Sequence, residues 1–221
     1  MLNSILRNVY FPDQWKVSQI ITILKPGKPA EEVTSYRPIS LLLILSKLFE
    51  KILLTQIKPI PQEIRIIPEY QFSFRQKHTT TEQVHRITNI IYKALESNKY
   101  CTAALLDSSQ DFSKVWHEGL LHKIKTLFPY NIYQILKSYP ESRYFLLKYR
   151  EEYTYLCLFL SGVPQDSAGS LLYLLYTADL PTAVDSTTAT FGGDTAVLTT
   201  QLTYLLRSTA QPPPLGATLL S

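Results

Sequence analysis

Cysteine is scarce: Cys101 and Cys157 are the only two in 221 residues, and both sit far apart in apolar runs. A disulfide framework is therefore excluded as the organiser of the fold, and both thiols are expected to be free and buried. No Cys/His cluster has zinc-ligand spacing, which excludes a structural zinc site of the usual kind. No run of about 20 uninterrupted apolar residues exists, so no membrane span is expected. The nearest approach, Leu41 to Leu54, is broken by Ser46, Lys47, Glu50 and Lys51. Met1 to Tyr10 lacks the apolar core of a signal peptide. No address signal is visible, and the place of action reads only as intracellular, in cytoplasm or nucleus. Internal repeats are missing too.

What is present is a globular composition. Hydrophobic residues make up 45% of the chain, enough for a real core and too many for wholesale disorder. The length suits one large domain or two small ones. Net charge is +4, and its excess lies early: residues 1–80 carry eleven Lys and Arg against six Asp and Glu. That suits an acidic partner without requiring one.

The chain opens on a short amphipathic helix, Leu2 to Val9, so it reads as starting inside an element. Val17 to Leu24 predicts a strand. Lys25-Pro26-Gly27-Lys28-Pro29 predicts a loop, and Tyr36 to Ser40 an extended segment around Pro38. Leu43 to Ile57 predicts a helix with Leu45, Leu48, Phe49, Ile52 and Leu53 on one face. Thr79-Thr80-Thr81-Glu82 is a capping box, and the helix after it aligns Val84, Ile87, Ile91 and Leu95. Tyr100 to Leu106 predicts a buried strand. Helices follow at Glu118–Leu127 and Ile132–Tyr139. A hairpin then joins Tyr144–Tyr149 to Tyr153–Leu160, and a helix spans Gly169–Leu180. A last hairpin has its tip at Gly192-Gly193. After Gln201 the pattern fails, and Gln211-Pro212-Pro213-Pro214 points to a frayed tail. Strict βα alternation is absent, so the pattern is α+β rather than Rossmann-like.

Three features converge on chemistry. Leu105-Leu106-Asp107 ends one apolar run in a carboxylate. Phe191-Gly192-Gly193-Asp194-Thr195 puts another at a hairpin tip. Between them lies Gly162-Val163-Pro164-Gln165. A carboxylate on a strand, a second at a hairpin and a Gly-Pro-Gln loop between them is the layout of a polymerase palm.

On these and further motifs the chain resembles the reverse transcriptase domain of non-LTR, LINE-type, jockey-like retrotransposons over about residues 2–200. The matching motifs include Tyr10 to Lys16, Ile23 to Lys28, Ser35 to Leu41 and Tyr70 to Arg75. Further on they include Leu106-Asp107 with Phe112, Trp116-His117, Gly162 to Gln165, and Leu174 to Asp179. The resemblance implies a right-hand polymerase palm and fingers, with an antiparallel palm sheet packed on helices and the thumb missing. It divides the chain into 1–98, fingers and start of palm; 99–200, palm with the catalytic motifs; and 201–221, a disordered or non-family tail. It implies RNA-directed DNA polymerase activity on an RNA template, a DNA primer and a dNTP, with Mg²⁺ neutralising the triphosphate. Asp107 matches a catalytic, metal-ligating aspartate, and Asp194 the second aspartate of the hairpin. Phe112 matches the residue beneath the nucleotide sugar, and Gln165 a nucleotide contact. Lys25 and Arg37, with Lys28 beside them, match phosphate-neutralising residues. Tyr10, Trp15, Phe72, Phe74 and Trp116 are expected in the core rather than as base-stacking platforms.

The departures are as informative. The family hairpin reads Phe-Ala-Asp-Asp, so Gly193 stands where the partner metal ligand of Asp107 belongs. Glycine supplies no side-chain oxygen. Asp111 lies four residues past Asp107, beyond a strand end, a poor place from which to replace it. Asp166 puts a negative charge into the Gly-Val-Pro-Gln loop, and Ser73 replaces a glycine. No endonuclease is evident before the domain. The expectation is a reverse transcriptase remnant with impaired catalysis and weak Mg²⁺ binding. The alternative is a non-catalytic module that binds RNA or RNA–DNA hybrid. The sequence says nothing about oligomeric state.

Overall fold

The computed structural model describes residues 2–75, 77–107, 111–149, 152–165, 167–180 and 186–202. Asp166, the side chain of Asp111 and the expected tail beyond Leu202 lie outside the described residues. The described helices are α1 Leu2–Asn8, α2 Ile44–Ile57, α3 Pro59–Glu63, α4 Thr80–Glu96, α5 His117–Leu127, α6 Tyr130–Ser138 and α7 Ser167–Tyr176. The strands are β1 Val17–Leu24, β2 Tyr36–Leu41, β3 Lys99–Leu106, β4 Tyr144–Tyr149, β5 Glu152–Tyr153, β6 Cys157–Leu158, β7 Ser186–Phe191 and β8 Asp194–Leu202. The α+β pattern holds, and none of the described helices is long and apolar enough to cross a membrane.

The chain divides into two compact units. The first comprises Met1–Pro68 with Gln110–Leu180; the second comprises Glu69–Ser109 with Pro181–Ser221. In the first unit, β2 pairs antiparallel with β1, and β1 runs parallel to β4, with Val17 opposite Tyr144. That parallel pair, separated by more than a hundred residues, gave no local sequence signal. Its core is aromatic at one end. Phe11 meets Trp15, Phe49 and Tyr139 edge-on, with ring centroids 5.1–6.1 Å apart. Further along, Leu53 on α2, Leu120 and Ile124 on α5, and Leu172 and Leu175 on α7 are fully buried.

The face of α2 is rotated from the predicted one. Phe49 and Leu53 point inward as expected, but Leu45 and Leu48 are exposed, while Ser46 and Glu50 are buried. Polar groups can sit inside when they find partners. The Ser46 hydroxyl donates to Glu50 Oε1 at 3.4 Å, and the Arg143 guanidinium lies over the Tyr139 ring, 4.4 Å from its centroid. Burial raises the Tyr139 phenol pKa, and Arg143 acts against that rise. A rule that sends every charge outward misplaces this helix by about a third of a turn.

In the second unit, β3, β8 and β7 form an antiparallel sheet in that order. α4 packs on it through Ile87, Ile90 and Ile91 against Ala189, Ala196 and Leu198. The capping box is present in both directions: Glu82 N donates to Thr79 Oγ1 at 3.2 Å, and Thr79 N to Glu82 Oε2 at 2.8 Å. Asn98, with φ 51°, ends the helix in the left-handed region. Val84 and Leu95, expected inside, are exposed, and Gln83 and Ala94 are buried instead. β3 forms as predicted but is not a buried strand; Leu105 is 79% exposed. It ends the three-stranded sheet, pairing with β8 alone. The thiols also differ from expectation, with Cys101 half-buried and Cys157 exposed. Of the five aromatics expected in the core, Trp15 is buried and Phe72 half-buried, whereas Tyr10, Phe74 and Trp116 are exposed.

Candidate active site

The two aspartates meet at one end of the second unit's sheet. Leu106 on β3 faces Thr195 on β8. One step further toward that end stand Asp107, just past β3, and Asp194, the first residue of β8. Facing residues of an antiparallel pair have Cα atoms about 5 Å apart and side chains on the same face. Both aspartates are exposed. β8 turns into β7 through Gly192-Gly193, closed by the Phe191–Asp194 pair. Gly192 has φ 68°, while Gly193 is not among the positive-φ glycines. Positive φ at the first central position alone is the type II′ pattern, which asks for glycine only there. The backbone at 193 is one that an aspartate adopts freely.

A clamp holds this hairpin in place. Gln71 forms a parallel bridge with Thr190. Thr190 N donates to Tyr70 O at 2.9 Å, and Phe72 N donates to Thr190 O at 3.1 Å. The buried Gln83 side chain reaches from α4 to both strands, its Nε2 donating to Tyr70 O at 2.9 Å and Thr190 O at 3.0 Å. Gln71 Nε2 donates to Gly192 O at 3.4 Å. Ser73 is absorbed by the same turn, its hydroxyl donating to Gln71 Oε1 at 2.8 Å. Tyr70 to Ser73 fall in a family motif, but Gln83 carried no sequence signal. A glutamine one turn into a capped helix reads as surface, and only the fold shows which carbonyls it meets.

The loop that leads to Gln165 docks on the Phe112 segment in the first unit. Val163 N donates to Phe112 O and Gly162 N to Val115 O, both at 2.8 Å. His117 Nε2 donates to Gly162 O at 2.7 Å, which assigns the proton to that nitrogen. Gly162 has φ 91°, and a Cβ there would lie 2.8 Å from Ser113 Cα, so both the turn and the close approach require glycine. Gly169 lets α7 start hard against Pro164; a Cβ would fall 1.7 Å from the Pro164 oxygen. The Phe112 ring stacks on Tyr173, centroids 4.5 Å apart at 27°. Lys25 and Arg37 sit on the β1–β2 hairpin. Lys25 Nζ donates to Thr34 O at 2.8 Å and so folds back on its own loop; Arg37 is exposed.

For Mg²⁺ the donor set is partial. This cation usually takes one or two carboxylates and completes its octahedron with water and substrate phosphates. Asp107 and Asp194 fit that minimum. Among the described residues no group of three or more His, Cys, Asp or Glu converges on a metal position.

Comparison with known proteins settles the kinship. The family described as reverse transcriptase (RNA-dependent DNA polymerase) matches residues 23–208. The chain belongs to the reverse transcriptase family. A probable RNA-directed DNA polymerase from transposon BS of Drosophila melanogaster is 50% identical over 180 residues, 81% of this chain and 20% of that protein. The RNA-directed DNA polymerase from mobile element jockey of the same species is 40% identical over 208 residues, 90% of this chain and 23% of that one. A probable RNA-directed DNA polymerase from transposon X-element is 44% identical over 182 residues, 82% of this chain and 20% of that protein. The resemblance to non-LTR elements thus holds. This reverse transcriptase domain spans about a fifth of the length of the curated relatives it matches.

Proposed function

We propose that this domain is the palm-and-fingers part of an RNA-directed DNA polymerase of a non-LTR retrotransposon, with catalysis impaired at Gly193. The observation that carries the reading is the placement of Asp107 beside Asp194 next to a tip whose second glycine offers no ligand. In this reading Asp107 and Asp194 hold Mg²⁺, which when bound neutralises triphosphate charge and favours attack by a primer hydroxyl. Phe112 and Gln165 contact the incoming dNTP. Lys25 and Arg37 neutralise phosphates of nucleotide or template. The polymer partners are an RNA template and a DNA primer. The division into fingers and palm near residue 98 belongs to the same proposal.

Two carboxylates can seat one cation, but the usual set for nucleotidyl transfer is larger by the ligand missing at 193. Losing an electrostatic contact made in the transition state costs about 3–4 kcal/mol, on the order of a hundred- to a thousandfold in rate. The test is Mg²⁺-dependent primer extension on an RNA template by the protein and by Gly193→Asp. The expected result is very slow extension by the former and a gain on the order of a hundredfold or more in the latter. Equal, rapid synthesis by both proteins rejects the impairment. No synthesis by either assigns the loss to other departures, Asp166 first among them.

A further inference from the structure

In the first unit Phe112 is held twice. Its carbonyl accepts from Val163 N at 2.8 Å, so the loop that leads to Gln165 fixes its backbone. Its ring, half-buried against the core, stacks on Tyr173 with centroids 4.5 Å apart and planes at 27°. Stacking is directional, so it sets where a ring lies as well as what it touches. Tyr173 is only 4% exposed, and its neighbours on α7, Leu172, Leu174 and Leu175, are buried. In a close-packed core such a side chain has little room to move. Gly169 lets α7 press against Pro164, and Tyr173 lies four residues on, along the same helix face. One face of α7 therefore buttresses both the loop and the Phe112 ring.

We propose that Tyr173 sets the sugar selectivity of this site by holding the Phe112 ring in the space a 2′-hydroxyl would need. The proposal rests on the reading above, in which Phe112 contacts the incoming nucleotide, at the place beneath its sugar. An aromatic ring there rejects a ribose only while it keeps its position. A ring with room behind it tilts away for the modest cost of a side-chain torsion, and a ribonucleotide then fits. A ring backed by a buried, stacked partner keeps its plane, and the extra hydroxyl meets carbon in place of water. Tyr173 touches no nucleotide in this scheme. It is a positioning residue, and the substrates it separates are deoxyribonucleoside and ribonucleoside triphosphates.

The experiment is a competition measurement on the intact protein. Labelled dATP is displaced by unlabelled dATP or by ATP, which differ only in the 2′-hydroxyl, and the ratio of the two dissociation constants is read. The variants are Tyr173→Phe, which keeps the stack, Tyr173→Leu and Tyr173→Met, which fill much of the volume without a flat face, and Phe112→Ala. Each is checked for folding by circular dichroism. The wild type and Tyr173→Phe should favour dATP by about tenfold or more. In Tyr173→Leu and Tyr173→Met that preference should fall about tenfold, while dATP itself binds nearly as before. Adding Tyr173→Leu to Phe112→Ala should lower the preference no further, because the two residues act as one unit. A purely structural role would weaken dATP and ATP together, and that result overturns the proposal. So does a full preference for dATP in folded Tyr173→Leu when Phe112→Ala has lost it; Phe112 then keeps its place under the sugar and owes nothing to Tyr173. If Phe112→Ala keeps the preference, or the wild type shows none, the reading of Phe112 itself fails and the proposal falls with it. Binding is the readout throughout, so the rate defect proposed at Gly193 does not obscure it.

Discussion

At the scale of single residues, glycines divide into those the backbone needs and those it does not. Gly162 and Gly169 are needed. The Gly169 case is steric alone: its missing Cβ makes room for the Pro164 oxygen. Overpacking of this kind typically costs about 1–3 kcal/mol. Gly169→Ala should lower stability by at least the upper end of that range, read as a fall in the urea midpoint with the slope unchanged. Gly193 differs from Gly162 in that its φ is not in the left-handed region. Asp107 and Asp194 stood out in the sequence because they end apolar runs at a strand and a hairpin, their proposed metal role came from the family motif, and the strand register puts both at the same end of the sheet. The nucleotide-contact positions came only from family motifs, and what the fold adds is the docking of the Gln165 loop on the Phe112 backbone.

At the scale of elements, periodicity located helices and strands well and their faces less well. β1 has the predicted bounds, Val17–Leu24. α2 and α4 form where expected, yet each turns a polar residue inward: Glu50 in one, Gln83 in the other. The reason is the same in both. A buried polar side chain is tolerated when it finds a partner, from the same helix as Ser46 does for Glu50 or from far along the chain as for Gln83, and apolar periodicity registers neither. For Gln83 those partners are two carbonyls that tie Tyr70 to Thr190. Gln83→Ala should cost about 1–2 kcal/mol. Hydrogen exchange offers a sharper check: the Phe72 and Thr190 amides should exchange faster, while amides of α5 and α7 keep their protection. Unchanged exchange at Phe72 and Thr190 would show that the backbone bridge alone holds the segment.

At the scale of the whole molecule, the core of each unit is separate, and the parallel β1–β4 pairing inside the first was beyond local reading. Charge sets the acid limit of stability. The Lys123 ammonium, hydrogen-bonded to the Asp179 carboxylate, holds its pKa below the ordinary value. Asp13 is likewise lowered, by hydrogen bonds from Tyr10 and then from Lys16. A carboxylate with a folded pKa below its unfolded one stabilises fully above the unfolded value and loses that contribution as pH falls through the folded one. Stability should therefore decline as pH drops below roughly 4. Asp179→Asn should flatten part of that decline, as seen in melting temperatures measured from neutral to acid pH. A variant with an unchanged acid limb would show that the Lys123–Asp179 pair, largely exposed, adds nothing in solution.

The type II′ tip has a genetic corollary. Glycine and aspartate codons can differ in a single middle base, and the main chain at 193 already accepts either amino acid. One transition would thus return an acid to the tip without asking the main chain for a new φ. Among copies descended from a common element, the impairment proposed above would be revertible for as long as the surrounding hairpin is intact.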